Sequence, residues 1–157
     1  MSRSLGPALP PDLQKRLSQQ DLPRLLGRAL PLLTVDDRGR PHPMLCSYLE
    51  LLAVSATVIR VAVGARSGAR RNLEARGVAT LLVVEPDVTV YVKCRTSGAP
   101  VLSGDLACFE LLVEEVLEDE AAEGEAGARI TGGLTYAPVP ALDSGWARAV
   151  LAALRFE

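Results

Sequence analysis

The sequence predicts a mainly β chain, a mostly antiparallel barrel or open barrel with helices at its periphery. Three observations carry this. Apolar runs of strand length recur at 29–35, 43–53, 58–63, 78–84 and 88–95, several rich in β-branched residues. Polar or Gly/Pro turn signals separate them, such as Asp36-Asp37-Arg38-Gly39 and Glu85-Pro86-Asp87. No long strand–helix alternation is present, which disfavours a doubly wound sheet.

The elements follow in order. Residues 1–10 contain Pro7 and Pro10 and are expected to straggle without fixed structure. A short helix is expected from Pro11, with Asp12 near its positive end and Leu13 and Leu17 one turn apart. Pro23 interrupts it, and Asp21 can cap a second piece that turns Leu22, Leu25 and Leu26 inward. Residues 29–35 read as a buried first strand and 43–53 as a second. The third strand alternates: Ile59, Val61 and Val63 against Val58, Arg60 and Ala62. Gly64 and Gly68 then loosen a basic turn. Ser67 can cap a helix that runs to about Arg76 and stops at Gly77, a natural left-handed position.

Residues 78–84 are a near-continuous apolar strand. In the next strand, Val88, Val90, Val92 and Cys94 share one face. Thr89, Tyr91, Lys93 and Arg95 share the other, either a wet side or a polar wall over a ligand or second subunit. Residues 96–105 look like a loop. Over 106–118 the spacing of Glu110, Glu114 and Glu118 suits a helix, while Leu111 and Val113 with flanking acids suit a strand. Asp119, Glu120, Glu123 and Glu125 mark a solvated acidic segment. In 129–136, Gly132 and Gly133 let backbone lie close to a ligand or neighbour. Asp143 or Ser144 can cap a terminal helix with Trp146, Val150 and Leu154 on one face, Trp146 as its docking anchor.

The chain of 157 residues reads as a single domain, residues 1–157, with 48% hydrophobic and 23% charged residues. Aromatics are only 4%, so aliphatic side chains must fill the core. Seventeen Lys and Arg against nineteen Asp and Glu give a net charge of −2, which argues against nucleic acid as a partner. Cys46, Cys94 and Cys108 are odd in number and widely spaced, so free thiols are expected rather than a disulfide framework or zinc site. The N-terminus lacks an apolar core of signal-peptide length, and no run of about 18 apolar residues follows. The expectation is a cytoplasmic protein that does not cross a membrane.

The strongest chemical signal is the turn and helix start at 64–71. A helix N-terminus offers unpaired amides and about half a positive charge. Arg66, Arg70 and Arg71 add guanidinium forks that match phosphate oxygens. One reading is a cofactor phosphate at Ser67, Arg70 and Arg71. The other is a solvated helix start whose arginines pair with Glu74 or more distant carboxylates. Side-chain catalysis is poorly supported. The single histidine, His42, lies between Pro41 and Pro43 with nothing nearby to complete a triad, and reads as structural or solvent-facing. No phosphate-binding glycine loop of the Walker or dinucleotide type is present. Any redox reactivity would come from a bound organic cofactor.

The ordered series LPLLTVDDRGRPHPMLCSY, IRVAVGARSGARRNLEARGVATLLVV and VTVYVK resembles the FMN-binding split barrel of the pyridoxamine 5′-phosphate oxidase-like superfamily. The tail VEEVLEDEAAEGEAGARITGGLTY resembles uncharacterised members of that group. The resemblance implies a six-stranded antiparallel split β-barrel with N-terminal, internal and C-terminal helices, forming a homodimer with cofactor sites at the subunit seam. It also implies that 106–118 is a strand. Ser67 matches the family's phosphate-binding serine. The basic residues common just after it fall here on Gly68 and Ala69, with Arg66 one position early and Arg70 and Arg71 one or two late. Val63 stands where a hydroxyl residue is often found. Cys46, Ser47 and Tyr48 occupy positions that would face the isoalloxazine ring. The implied function is an FMN-dependent oxidoreductase acting on a small molecule that no motif identifies. The alternative is a non-enzymatic dimeric binding or sensor protein holding a deazaflavin, haem or no cofactor.

Overall fold

The computed structural model describes every residue except Ala126. In chain order the elements are β1 (Ser2–Gly6), α1 (Pro11–Leu17), α2 (Leu22–Leu25), β2 (Arg28–Val35) and β3 (Pro41–Ser47). A 3₁₀ turn, Tyr48–Glu50, leads to β4 (Leu51–Ala53), β5 (Val58–Gly64), α3 (Gly68–Arg76), β6 (Val78–Glu85) and β7 (Val88–Thr96). Then come β8 (Val101–Ser103), β9 (Leu106–Asp119), β10 (Leu134–Thr135) and α4 (Gly145–Ala153).

All the strands join one antiparallel sheet in the order β10-β2-β6-β7-β9-β5-β4, with β3 on β2 and with β1 and β8 on β9. It curls into the expected barrel-like architecture with helices outside. Among the described residues ten strands form rather than six; β4, β8 and β10 are pieces of two or three residues.

β9 settles the 106–118 ambiguity in favour of a strand. Fourteen residues long, it pairs with β5 along one edge and β7 along the other. Its acidic residues sit among buried neighbours, with Phe109, Leu111, Val113 and Val116 turned into the core. The helical spacing of its glutamates is overruled by two rows of ladder hydrogen bonds.

Four other expectations change. Residues 1–10 do not straggle: Ser2–Gly6 pair with the far end of β9, from Asp119 to Val116. The second strand is not continuous over 43–53. Glu50 Oε2 accepts from Ser47 N at 2.6 Å and Ser47 Oγ at 3.0 Å, a capping box that turns the chain at 47–50 and redirects it to β5. The loop at 96–105 contains β8, on β9. Asp21 makes no capping bond from its side chain at α2.

The local signals at α3 hold. Ser67 Oγ accepts from Arg70 N at 3.1 Å, and Gly77 ends the helix at φ 68°. Ala69 and Leu73 face the core; a fully buried leucine side chain contributes about 2 kcal/mol. The 36–39 turn also forms as expected, with Asp36 Oδ1 accepting from Arg38 N and Arg40 N.

One connected hydrophobic core lies inside the sheet, including all three free, buried cysteines. The Thr89, Tyr91, Lys93 and Arg95 face is the wetter side of β7, with Lys93 and Arg95 exposed. α4 docks through Ala147, Val150 and Leu154. Arg60 of β5 fixes the chain end, donating to Glu110 Oε2 at 2.9 Å and to the carbonyls of Leu154 and Phe156 at 3.1 and 2.7 Å. Its guanidinium also lies 3.9 Å from the Phe156 ring centroid. Among the described residues no helix is long and apolar enough to cross a membrane.

Candidate functional site

β3 connects two features. Its first residues stand beside the N-terminus of α3. Its last residues open on a cleft under α4.

At the first end, Ser67 N donates to Gly64 O at 3.0 Å, closing the turn between β5 and α3. Ser67 then caps Arg70 N, while the amides of Gly68 and Ala69 make no hydrogen bond among the described residues. Those two unpaired amides lie at the positive end of the helix dipole, with Ser67 and Gly68 half-buried and Ala69 buried. His42 flanks them: a Cβ placed on Gly68 would lie 3.3 Å from His42 Nε2 and 3.6 Å from one Arg71 guanidinium nitrogen. The missing side chain at Gly68 leaves the His42 ring room against the helix start. Thr34 fastens the arrangement, accepting from Asn72 Nδ2 at 2.9 Å and donating to His42 O at 3.4 Å.

The arginines divide. Arg70 is tied to its own turn, through Glu74 Oε1 at 3.1 Å and Ala65 O at 2.7 Å. Arg71 donates to Arg66 O at 3.2 Å, and Arg71 and Arg66 are both exposed. The Arg66 guanidinium makes no hydrogen bond or ion pair among the described residues. The donor set fits a phosphate: two free amides, the Ser67 hydroxyl and two exposed guanidinium groups on one turn.

At the other end, about 16 Å along β3 by strand rise from His42 to Ser47, lies a cleft of about 270 Å³. Cys46 and Ser47 line it together with Leu45, Glu50, Tyr136 and Trp146. Cys46 is 2% exposed, and its thiol bonds Leu30 O at 3.2 Å. Burial pushes that thiol well up, and the nearby Glu50 charge pushes it the same way, so it stays a neutral thiol. Tyr48 points away from the cleft into the core. Its hydroxyl lies 3.4 Å from Glu85 Oε1, and Glu85 also pairs with Arg28 at 2.8 Å. Burial pushes the Tyr48 phenol up to about 12.

The place of Glu50, Trp146, Tyr136 and His42 at the site emerges only from the fold. Ser47-x-x-Glu50 is a capping-box pattern that flags Glu50 in the sequence. Trp146 does not dock α4 as expected. It is 46% exposed and forms a wall of the cleft, while its neighbour Ala147 faces the core. The contact of His42 with α3 joins residues twenty-six apart and has no local signal.

No protein-family model matches the chain, and no curated protein matches it. Solved structures do. A protein from Lactobacillus delbrueckii, provisionally described as a pyridoxamine 5′-phosphate oxidase, superposes with a TM-score of 0.57 at 13% identity over 73% of this chain and 98% of its own. An FMN-binding protein from Syntrophomonas wolfei gives 0.55 at 14% identity over 71% and 89%. The flavin reductase PheA2 gives 0.51 at 14% identity over 64% and 88%. The chain therefore has the split-barrel fold that the sequence resemblance implied, and at these identities the likeness is one of fold.

Proposed function

We propose that this chain binds FMN and serves as a flavin-dependent oxidoreductase on a homodimeric split barrel. The observation that carries the reading is β3 itself. One strand runs from a turn with free amides and exposed guanidinium groups to an apolar cleft lined by Cys46 and Ser47. A phosphorylated ring compound needs both features. Support also comes from the fold, which includes an FMN-binding protein and a flavin reductase.

In this reading the phosphate lies at Ser67, with the Gly68 and Ala69 amides donating and Arg66, Arg70 and Arg71 supplying charge. The ring lies toward Cys46, Ser47 and Tyr48, the last contributing backbone because its side chain is in the core. The flavin supplies hydride acceptance and donation; the chain holds and orients it. The buried, neutral Cys46 thiol keeps a reactive thiolate away from the ring. A second copy would close the seam, and the compartment would be the cytoplasm.

The test is the visible spectrum after mild purification, followed by a melting-temperature scan with added FMN. A bound flavin gives a yellow protein. FMN at a hundred times its Kd stabilises by about 2.7 kcal/mol, a rise of about 5–10 °C for a chain of this size. Arg70→Ala with Arg71→Ala abolishes that rise. A colourless protein that takes up no FMN overturns the reading.

The internal ties of Arg70 to Glu74 and Ala65 favour a second reading. A guanidinium already bonded twice gives less to a phosphate, as in a binding or sensor module that holds a deazaflavin, haem or nothing. The same melting scan with those ligands separates the two, and a light-scattering mass tests the homodimer common to both.

A further inference from the structure

The cleft at the end of β3 has a charge that the flavin reading does not use. Glu50 sits on its floor and spends only Oε2 on the capping box with Ser47. Oε1 accepts no hydrogen bond, and the carboxylate forms no ion pair among the described residues. Among the described residues no buried side-chain oxygen is left without a partner, so Oε1 is not sealed in protein, and Glu50 lines the cleft. The surroundings are apolar: Leu45, 60% exposed, and the rings of Tyr136 and Trp146. Desolvation raises the Glu50 carboxyl, the expected result of a charge facing an apolar hollow without a counter-ion.

An unpaired carboxylate at the base of a hollow walled by two aromatic rings is the chemistry that recognises an organic cation. The carboxylate takes charge-assisted hydrogen bonds, and the π faces, tryptophan above all, attract the positive group. The volume of about 270 Å³ lies just below the range of about 300–1,000 Å³ for drug-sized ligands, so the guest is small. We propose that this cleft binds a small organic cation, an amidinium or ammonium group on a compact apolar body, with Glu50 Oε1 as its acceptor and Trp146 and Tyr136 as its walls. The cleft is the one that the flavin reading gives to the ring, so the cation is proposed for the flavin-free chain and bound FMN would compete with it.

Trp146 is the only tryptophan in the chain, so its emission reports the cleft directly. The purified full chain, without added FMN and at mildly alkaline pH to keep Glu50 ionised, is titrated with benzamidine, neutral benzamide and anionic benzoate. Benzamidine is expected to change the Trp146 emission saturably, with benzamide at least about tenfold weaker and benzoate showing no saturation up to about 10 mM. Glu50→Gln keeps an acceptor for the capping box and should weaken benzamidine by about tenfold or more, with a melting temperature at or above that of the parent because the desolvated charge is gone. Tyr136→Leu, on a half-buried segment outside the core, should weaken it several-fold. A silent titration with benzamidine, equal binding of all three probes, or undiminished affinity in both variants overturns the proposal.

Discussion

Ser67 has two roles that a pair of substitutions separates. As a cap, its Oγ accepts from Arg70 N at 3.1 Å. Ser67→Ala removes that acceptor at a half-buried turn and costs about 1 kcal/mol, which in a chain of this length lowers Tm by about 2–4 °C. Ser67→Asp restores an acceptor of about equal rank and places negative charge at the positive end of α3, so Tm stays within about 1 °C of the parent or rises. As a phosphate ligand the effect of Asp is the reverse. The new carboxylate stands where the phosphate would lie. Two like charges about 4 Å apart at an effective dielectric of about 20 repel by about 4 kcal/mol, about a thousandfold in Kd. Calorimetric melting reads the first quantity and flavin fluorescence titration with FMN the second. The expected pattern is a stable Ser67→Asp protein that has lost FMN. Parental FMN affinity in Ser67→Asp would refute the phosphate placement, and an unchanged Tm in Ser67→Ala would refute the cap.

Arg60→Ala removes the Glu110 pair, two carbonyl bonds and the Phe156 contact together, and should cost about 2–4 kcal/mol in urea denaturation while exposing the C-terminal helix to proteases. Gly133→Ala should cost about 1–3 kcal/mol by the same measurement, because its Cβ would fall 2.3 Å from the Val84 carbonyl oxygen, a backbone atom that cannot step aside. Burial raises Glu50 above its ordinary 4.5, so the folded state holds this proton more tightly than the unfolded one. Its contribution to stability therefore falls as pH climbs from about that value through the folded pKa, and the full penalty is present above. Glu50→Gln should gain stability relative to the parent between acid and neutral pH; parallel pH–stability curves would contradict this.

The parts legible in the sequence were those fixed by neighbours along the chain. Ser67 and Gly77 bound α3 because caps are local, and the alternation from Val88 to Cys94 marks a half-buried strand for the same reason. β1 was illegible because Ser2–Gly6 has little strand character of its own. It is ordered by the end of β9, a partner more than a hundred residues away. The glutamate spacing in 110–118 imitates a helix, and only the ladders of β5 and β7 decide otherwise. Within the site, Ser67 and the arginines were visible as a basic turn, and the pair of Arg70 with Glu74 as one of its two readings, since i,i+4 neighbours meet on a helix; the ties of Arg70 to Ala65 O and of Arg71 to Arg66 O depend on rotamers the sequence does not specify. The family resemblance puts Tyr48 on the ring side. The capping box of Ser47 and Glu50 turns the chain there and sends the phenol into the core. Trp146 was placed inward because a lone large aromatic on an amphipathic helix usually is; Ala147, Val150 and Leu154 fill that face instead.

The claim on which the functional reading turns is that the start of α3 recognises a phosphate. Paired calorimetric titrations with FMN and with riboflavin, which has the same ring and no phosphate, test it directly. The account predicts that FMN binds and that riboflavin binds at least about a hundredfold more weakly, the loss of two charge-assisted contacts. Equal affinity for the two, or heat from neither, would contradict it.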